Sequence, residues 1–251
     1  MIERPTLILP DWPAPSTVGA FVTTRESGPS QGAFASFNTA HHVGDDAASV
    51  DRCRRLLSAE LDDARPLLWL NQVHGAAVQQ DYRAAFAEQP PRADASVAFD
   101  QGYACAVLTA DCLPVFFCDR QGTRVGVAHA GWRSLAGGVL EACVAALGQS
   151  PDELMAWLGP AISKAQFEVG AEVFETFVAV QPEAESAFEP SPYRLGHYMA
   201  DLYRLARLRL ERLGVGHIGG GHFCTACESR FYSYRRDDGH TGRMASVIWL
   251  R

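Results

Sequence analysis

Cys112, His129 and His74 combine reactive side chains with settings that bring them to an edge of structure. Each stands where an apolar run stops. Cys112 follows residues 103–111 (YACAVLTAD), with Pro114 just beyond. His129 closes residues 124–130 (RVGVAHA), ahead of Gly131 and a helical pattern. His74 follows residues 67–73 (LLWLNQV) and precedes Gly75. A strand that breaks in this way delivers its last side chains to the rim of a sheet, where ligands gather in open α/β folds. One thiolate and two imidazoles suit a three-ligand metal site with a fourth position left for water or substrate. They equally suit a nucleophile, Cys112, with His129 as its base. No short ligand motif such as His-Glu-x-x-His separates these readings, and single cysteines and histidines in apolar runs are commonly core residues.

Other polar groupings carry less. Cys224-Thr-Ala-Cys227 is a C-x-x-C with neither a second pair nor a helix start behind it, and reads as an incidental pair rather than a redox couple. Glycines 219–221 read as a tight bend. Arg235 and Arg236, with Arg243 nearby, suit an anionic substrate or phosphate, or else a hairpin neutralised by Asp237 and Asp238. Trp132 and Arg133 open a helical pattern and place backbone donors and a guanidinium where an anion could sit.

Periodicity supplies the elements that must position these residues. A strand is expected over residues 18–24, then a Gly/Ser/Pro-rich loop over 26–38 anchored by Phe34 and Phe37. A helix follows from Asp45-Asp46 to about Ala59, with Val50, Cys53, Leu56 and Leu57 on one face. LLWLNQV and AAVQQD read as a strand pair around His74-Gly75, and DASVAFD as a further strand after a polar connector. Residues 134–147 read as a helix striped by Leu135, Val139, Cys143 and Leu147, capped by Gly148 and stopped by Pro151. LMAWLGPAI is strand-like, two helices span about 171–180 and 199–213, and GHIGGGHFC, FYSYRRD and ASVIWL read as strands. The alternation runs without linker or repeat, so residues 1–251 read as one mixed α/β or α+β domain.

Composition narrows the function classes. At 251 residues and 47% hydrophobic content the chain can bury a sizeable core. A net charge of −7 suggests neither the basic footprint of a nucleic-acid binder nor a polybasic membrane surface. No apolar run approaches the roughly 18 residues of a membrane span. Glu3 and the short run before Pro10 do not make a signal peptide, so a cytoplasmic location with seven reduced cysteines is expected. The oligomeric state is not indicated.

Taken together, LNQVHG, TADCLPV, VAHAGWRSLAGGV, AWLGPAI, FEVG and FYSYRRDxxxTGRMASVIWL resemble the bacterial laccase-domain family, over about residues 21–250. That family was first labelled multicopper polyphenol oxidase and later associated with purine nucleoside phosphorolysis, adenosine deamination and peptidoglycan editing. The resemblance implies an α+β fold, a layered α/β/β/α sandwich with mixed sheets similar to cysteine-hydrolase toxins. It implies that His74, Cys112 and His129 are both metal ligands and catalytic residues, with zinc as the usual metal and copper possible. Asn38 and Arg54 match positions near the family's pocket, and Arg133 is added as a substrate-binding residue. The chain departs from the family at Ser134, where Gly is common, at Ser163-Lys164, where Gly-Pro is common, and at Cys53, where Asn is usual.

The implied activities make different demands. A multicopper oxidase needs several copper centres and His-x-His pairs, whereas the eight histidines here form none. Phosphorolysis of adenosine, inosine or methylthioadenosine needs an anion site, which Arg54, Arg133, Arg235 and Arg236 could supply. Adenosine deamination needs a carboxyl group to move a proton, and Glu168 and Asp111 are the candidates. The alternatives are an amidase editing a peptidoglycan precursor through Cys112, a copper polyphenol oxidase, and a metal-binding module without turnover. The expected partners are a purine nucleoside and phosphate.

Overall fold

The computed structural model describes residues 4–63 and 65–251, with Tyr82 through its backbone only; Glu3 lies outside the described residues. In chain order the first elements are β1 (Leu7–Ile8), β2 (Val18–Thr23), α1 (Ala47–Ser58), β3 (Leu67–Leu68), β4 (Val78–Gln79) and β5 (Ala95–Ala98). The central ones are β6 (Ala104–Thr109), β7 (Leu113–Asp119), β8 (Val125–Ala130), α2 (Trp132–Ala136), α3 (Val139–Leu147) and β9 (Leu154–Leu158). The last are β10 (Glu168–Gly170), α4 (Ala171–Val180), β11 (Phe188–Pro190), β12 (His197–Ala200), α5 (Leu202–Leu213), β13 (His217–Gly220) and β14 (Met244–Leu250).

The strands form two main mixed sheets and a small third one. The first has the order β1-β2-β14-β6-β3 and the second β13-β9-β7-β8-β5-β4, while β10-β12-β11 stand apart. In the first sheet β3 runs parallel to β6 and the other pairs are antiparallel. In the second, β13 with β9 and β4 with β5 are the parallel pairs. Residues of β6, β7, β8 and β14 are buried throughout, because both faces of these strands are covered, and their sequences are correspondingly apolar runs.

Alternation along each strand still sorts side chains into layers. Ala104, Ala106 and Leu108 of β6 face α1 with Phe21, Trp249, Cys53 and Leu57. Cys105 and Val107 face the other way, against Phe116, Val127 and Trp157 of the second sheet. Val115 and Phe117 of β7 then turn toward Leu140, Cys143, Phe177 and Leu205 of the helices beyond. These three interfaces make the layered α/β/β/α arrangement that the resemblance implied.

Local signals were read correctly at several ends. Asp46 caps α1 by accepting from Ser49 N at 2.9 Å, and Gly148 and Gly214 close α3 and α5 in the left-handed conformation. Four expectations need correction. The helix over 134–147 is two helices, because the chain breaks at Gly137 and Gly138, the latter at φ +88°; its stripe of Leu135, Val139, Cys143 and Leu147 is nevertheless buried. The expected helix over 199–213 begins only at Leu202, since β12 pairs with β10 and β11 first. LLWLNQV and AAVQQD do not pair: β3 lies in the first sheet and β4 in the second. FYSYRRD is not a strand, because its polar backbone groups bond to side chains, notably Asp111, instead of a neighbouring strand.

Candidate metal centre and pocket

The site forms where the chain passes between the sheets. One crossing leads from β3 to β4 and carries His74. A second leads from β6 to β7 and carries Asp111 and Cys112. His129 lies near the end of β8, directly opposite Pro114 of β7, so it shares a rim with Cys112. The three donor atoms all lie within 4.8 Å of one another, with Cys112 Sγ 3.9 Å from His74 Nε2. Gly131 makes this approach possible: a Cβ there would stand 2.8 Å from Cys112 Sγ and 3.2 Å from His74 Cδ2.

Asp94, just before β5, organises two of the three. Its fully buried carboxylate faces His129 Nδ1 at 2.9 Å. A carboxylate only accepts, so Nδ1 carries the proton and Nε2 is left for the pocket. The same carboxylate accepts from the backbone N–H groups of Val73 at 3.1 Å, His74 at 3.0 Å and Gly75 at 2.7 Å. His74 sits at φ +58°, a left-handed conformation costly for a non-glycine residue, and these three bonds hold it there. At the other end of the crossing, Gln72 bonds both ways to the backbone of Leu108, at 2.9 and 2.7 Å. Sequence reasoning took Asp94 only as the start of a strand; an acid opening an apolar run was its one visible signal.

Charge is concentrated in the centre. Burial pushes the Cys112 thiol up, but His129 and then His74 outweigh it and bring it down to about 6. Burial likewise pushes the His129 imidazole down, and Cys112 and Asp94 overcome that, raising it to about 9. Burial also opposes ionisation of Asp94, whose bonds to His129 and the 73–75 backbone hold it below the usual carboxylate range. A soft sulfur and two nitrogens, one oriented by a carboxylate behind it, are a donor set that fits zinc or copper. Donors around a tetrahedral ion at ~2.0–2.3 Å sit ~3.5 Å apart, so the observed spacing needs only a modest contraction.

These residues line one side of a pocket of about 580 Å³. Leu70, Leu108, Ile162, Trp132 and Phe167 supply apolar surface, while His42, Arg133, Arg235 and Arg243 bring positive or titratable groups. Asp111 lines it too, but its carboxylate already accepts from Thr225 Oγ1 (2.5 Å), Ser233 Oγ (3.0 Å) and Arg235 N (2.7 Å). It thereby holds the segment after β13 against the pocket.

The other expected residues divide. Arg133 lines the pocket, as does Arg235, whose guanidinium also donates to Gln166 O and Glu168 O; Arg236 lies outside the lining and donates to the carbonyls of Thr225, Glu228 and Phe231. Glu168 is outside the lining and accepts from Ser191 Oγ. Asn38 and Arg54 stand one layer back. Asn38 Oδ1 accepts from Arg243 N at 3.0 Å, and Arg54 donates to Thr39 O at 2.8 Å while lying over the Trp69 ring. Thr39 in turn donates to Arg243 O, so both residues support the arginine that reaches the pocket. His42 was not anticipated; it follows a second histidine in a three-residue 3-10 helix, His41–Val43, too short to leave a period in the sequence.

Known proteins are similar to this chain along nearly its whole length. A family model described as multi-copper polyphenol oxidoreductase laccase matches residues 19–251. A Pseudomonas aeruginosa protein named purine nucleoside phosphorylase is 54% identical over 245 residues, covering 97% of this chain and 98% of that one. The Escherichia coli purine nucleoside phosphorylase YfiH is 47% identical over 245 residues with the same coverage of both chains. Among solved structures, a Neisseria meningitidis protein of the DUF152 family is similar with a TM-score of 0.92 at 51% identity, over 97% of this chain and 98% of that one. YlmD from Geobacillus stearothermophilus gives a TM-score of 0.87 at 34% identity, over 96% and 94%. On the extent of these matches, the chain belongs to the multi-copper polyphenol oxidoreductase laccase family.

Proposed function

We propose that this protein is a zinc-dependent purine nucleoside phosphorylase, with His74, Cys112 and His129 as metal ligands and Arg133, Arg235 and Arg243 receiving phosphate. The observation that carries the reading is the convergence of three ligand atoms within 4.8 Å on one wall of a pocket that also presents three arginines. The printed names of the relatives in Pseudomonas aeruginosa and Escherichia coli support it. Phosphorolysis forms a bond from a phosphate oxygen to ribose C1′ and breaks the bond from C1′ to the purine nitrogen. The arginines would hold and neutralise the phosphate, with planar donors suited to its oxygens. Trp132, Phe167 and the aliphatic wall would pack against the base and keep water out. When bound, the metal held by His74, Cys112 and His129 would supply Lewis acidity to the pocket.

Phosphorolysis is favoured over deamination because Asp111 is the one carboxylate in the lining among the described residues, and three donors already occupy it. The multicopper reading has little support in the donor set, which offers one group of three ligands among the described residues. The reading takes residues 1–251 as one metal-binding domain working in the cytoplasm. Seven free cysteines accord with that compartment, and no helix among the described residues is long and apolar enough to cross a membrane.

One observation favours a second reading. Cys112, His129 and Asp94 line up as nucleophile, base and orienting acid, the constellation of a cysteine hydrolase acting on an amide such as that of a peptidoglycan precursor. Metal analysis of the purified protein, followed by adenosine turnover with and without phosphate, separates these. Phosphorolysis yields ribose 1-phosphate and is lost on chelation; deamination yields ammonia without phosphate. Activity on an amide that survives chelation, with an adduct on Cys112, would replace the nucleoside reading. Full metal loading without any turnover would leave a binding module.

A further inference from the structure

The C-x-x-C that sequence alone reads as incidental has a specific geometry. Cys224 Sγ and Cys227 Sγ lie 2.7 Å apart, and a disulfide is ~2.05 Å long, so bonding needs an approach of under about 1 Å. The backbone is already shaped for it. Residues 224–228 form a single helical turn in which Cys227 N and Glu228 N both donate to Cys224 O, at 3.1 and 2.9 Å. Cys224 Sγ accepts a second set of donors: Ser163 Oγ at 3.1 Å and Cys227 N at 3.2 Å. Such bonds favour a thiolate over a thiol. Cys227 is exposed and Cys224 half-buried, whereas Cys53, Cys105, Cys118 and Cys143 are buried.

We propose that Cys224 and Cys227 are a reversible dithiol–disulfide couple that exchanges with low-molecular-weight disulfides of the glutathione type. Cys224 is the attacking thiolate and Cys227 the resolving thiol. Cys224 Sγ bonds to one sulfur of the small disulfide, breaking its S–S bond and releasing one thiolate, which takes up a proton. Cys227 then loses its proton and bonds to Cys224 Sγ, expelling the second thiolate. The two protein thiols are oxidised by two electrons and the small disulfide is reduced to two thiols. Burial pushes the Cys224 thiol up, but Cys227, Ser163 and the backbone outweigh it and hold it below the usual thiol range; Cys227 moves the other way, chiefly through its bond to Cys224. The couple brackets Thr225, which is buried and bonded to Asp111, so it sits beside the pocket without being part of the metal centre.

The test equilibrates the full-length, metal-loaded protein in buffers of graded reduced and oxidised glutathione, alkylates the remaining thiols and maps them by mass spectrometry. The expected result is loss of both labels at 224 and 227 with an internal link between them, reversed by dithiothreitol. Cys227→Ser should accumulate glutathione on Cys224, and Cys224→Ser should accumulate at least tenfold less on Cys227. Full alkylation of both positions in the most oxidising buffer, or a link from either one to Cys112, overturns the proposal. Equal adduct yields in the two variants overturn the assignment of Cys224 as attacking group. These readouts are independent of nucleoside turnover.

Discussion

Asp94 illustrates how much of this centre rests on a residue that is not a metal ligand. Its carboxylate sets the proton on His129 and secures the backbone beneath His74. Asp94→Asn replaces an acceptor-only group by one with two donors, which then face N–H groups. Zinc affinity, measured by competition with a chromophoric chelator, should fall by about 10–100-fold. An unchanged affinity would mean that the bond to His129 plays no part in ligation. The metal-free protein should also show its own pH behaviour. The Cys112 thiol, at 9.0 in its ordinary state and about 6 here, contributes stability fully present above 9 and lost as pH falls through 6. The His129 imidazole, raised from 6.5 to about 9, contributes stability fully present below 6.5 and lost as pH rises through 9. Iodoacetamide labelling of Cys112 in chelated protein should therefore rise with a midpoint near pH 6. A midpoint near 9 would show that no such ion pair forms. At this scale the sequence supplied the candidate ligand types and their placement at run ends, and missed His42, which lines the pocket, and Asp94, whose role exists only through partners distant in the chain.

At the scale of elements, the decisive pieces are the two crossings between sheets and the segment from Cys224 to Asp237. α1 and the C-terminal ends of α3 and α5 were legible because caps and apolar stripes are local signals: Asp46 bonds within the first turn of α1, and Gly148 and Gly214 close the other two. FYSYRRD misled because its buried Phe231 and Tyr232 mimic a strand, while its polar groups are satisfied by Asp111, more than a hundred residues away. Asp111→Ala removes the acceptor of three donors at once. We expect a loss of about 2–4 kcal/mol in stability by denaturant titration, at ~1 kcal/mol or somewhat more per bond. Backbone amides of residues 225–237 should exchange faster, ahead of those in β7 and β9. Unchanged exchange in that segment would show that it is held by other means, such as the bonds of Arg236 to its carbonyls.

For the whole molecule, the candidate metal centre joins segments that belong to both large sheets. His74 and Cys112 sit on connections between the sheets, and His129 lies on the second sheet itself. Ligation should therefore act as a cross-link on the folded state. Thermal unfolding of chelated protein, followed as zinc is restored, should rise in proportion to RT ln(1 + [L]/Kd), ~2.7 kcal/mol at a hundredfold excess over Kd. Cys112→Ala should lose most of this dependence, with an apo midpoint lowered at neutral pH by loss of the pairing with His129. A midpoint indifferent to zinc in the unaltered protein would show that these side chains do not close on an ion.

By itself the sequence determined the alternation of helices and strands, the apolar runs that became strands covered on both faces, and the three side chains able to bind a metal. These follow from local chemistry: periodicity, caps, breaks and residue type. The tertiary structure alone decided that LLWLNQV and AAVQQD part into different sheets, that Gly131 leaves room beside Cys112, and that Asp94 stands behind His129. It also decided which arginines reach the cavity and which serve as struts. The reason is that pairing, register and second partners depend on which segments meet in space, and a hydrogen bond across a hundred residues leaves no period in the chain.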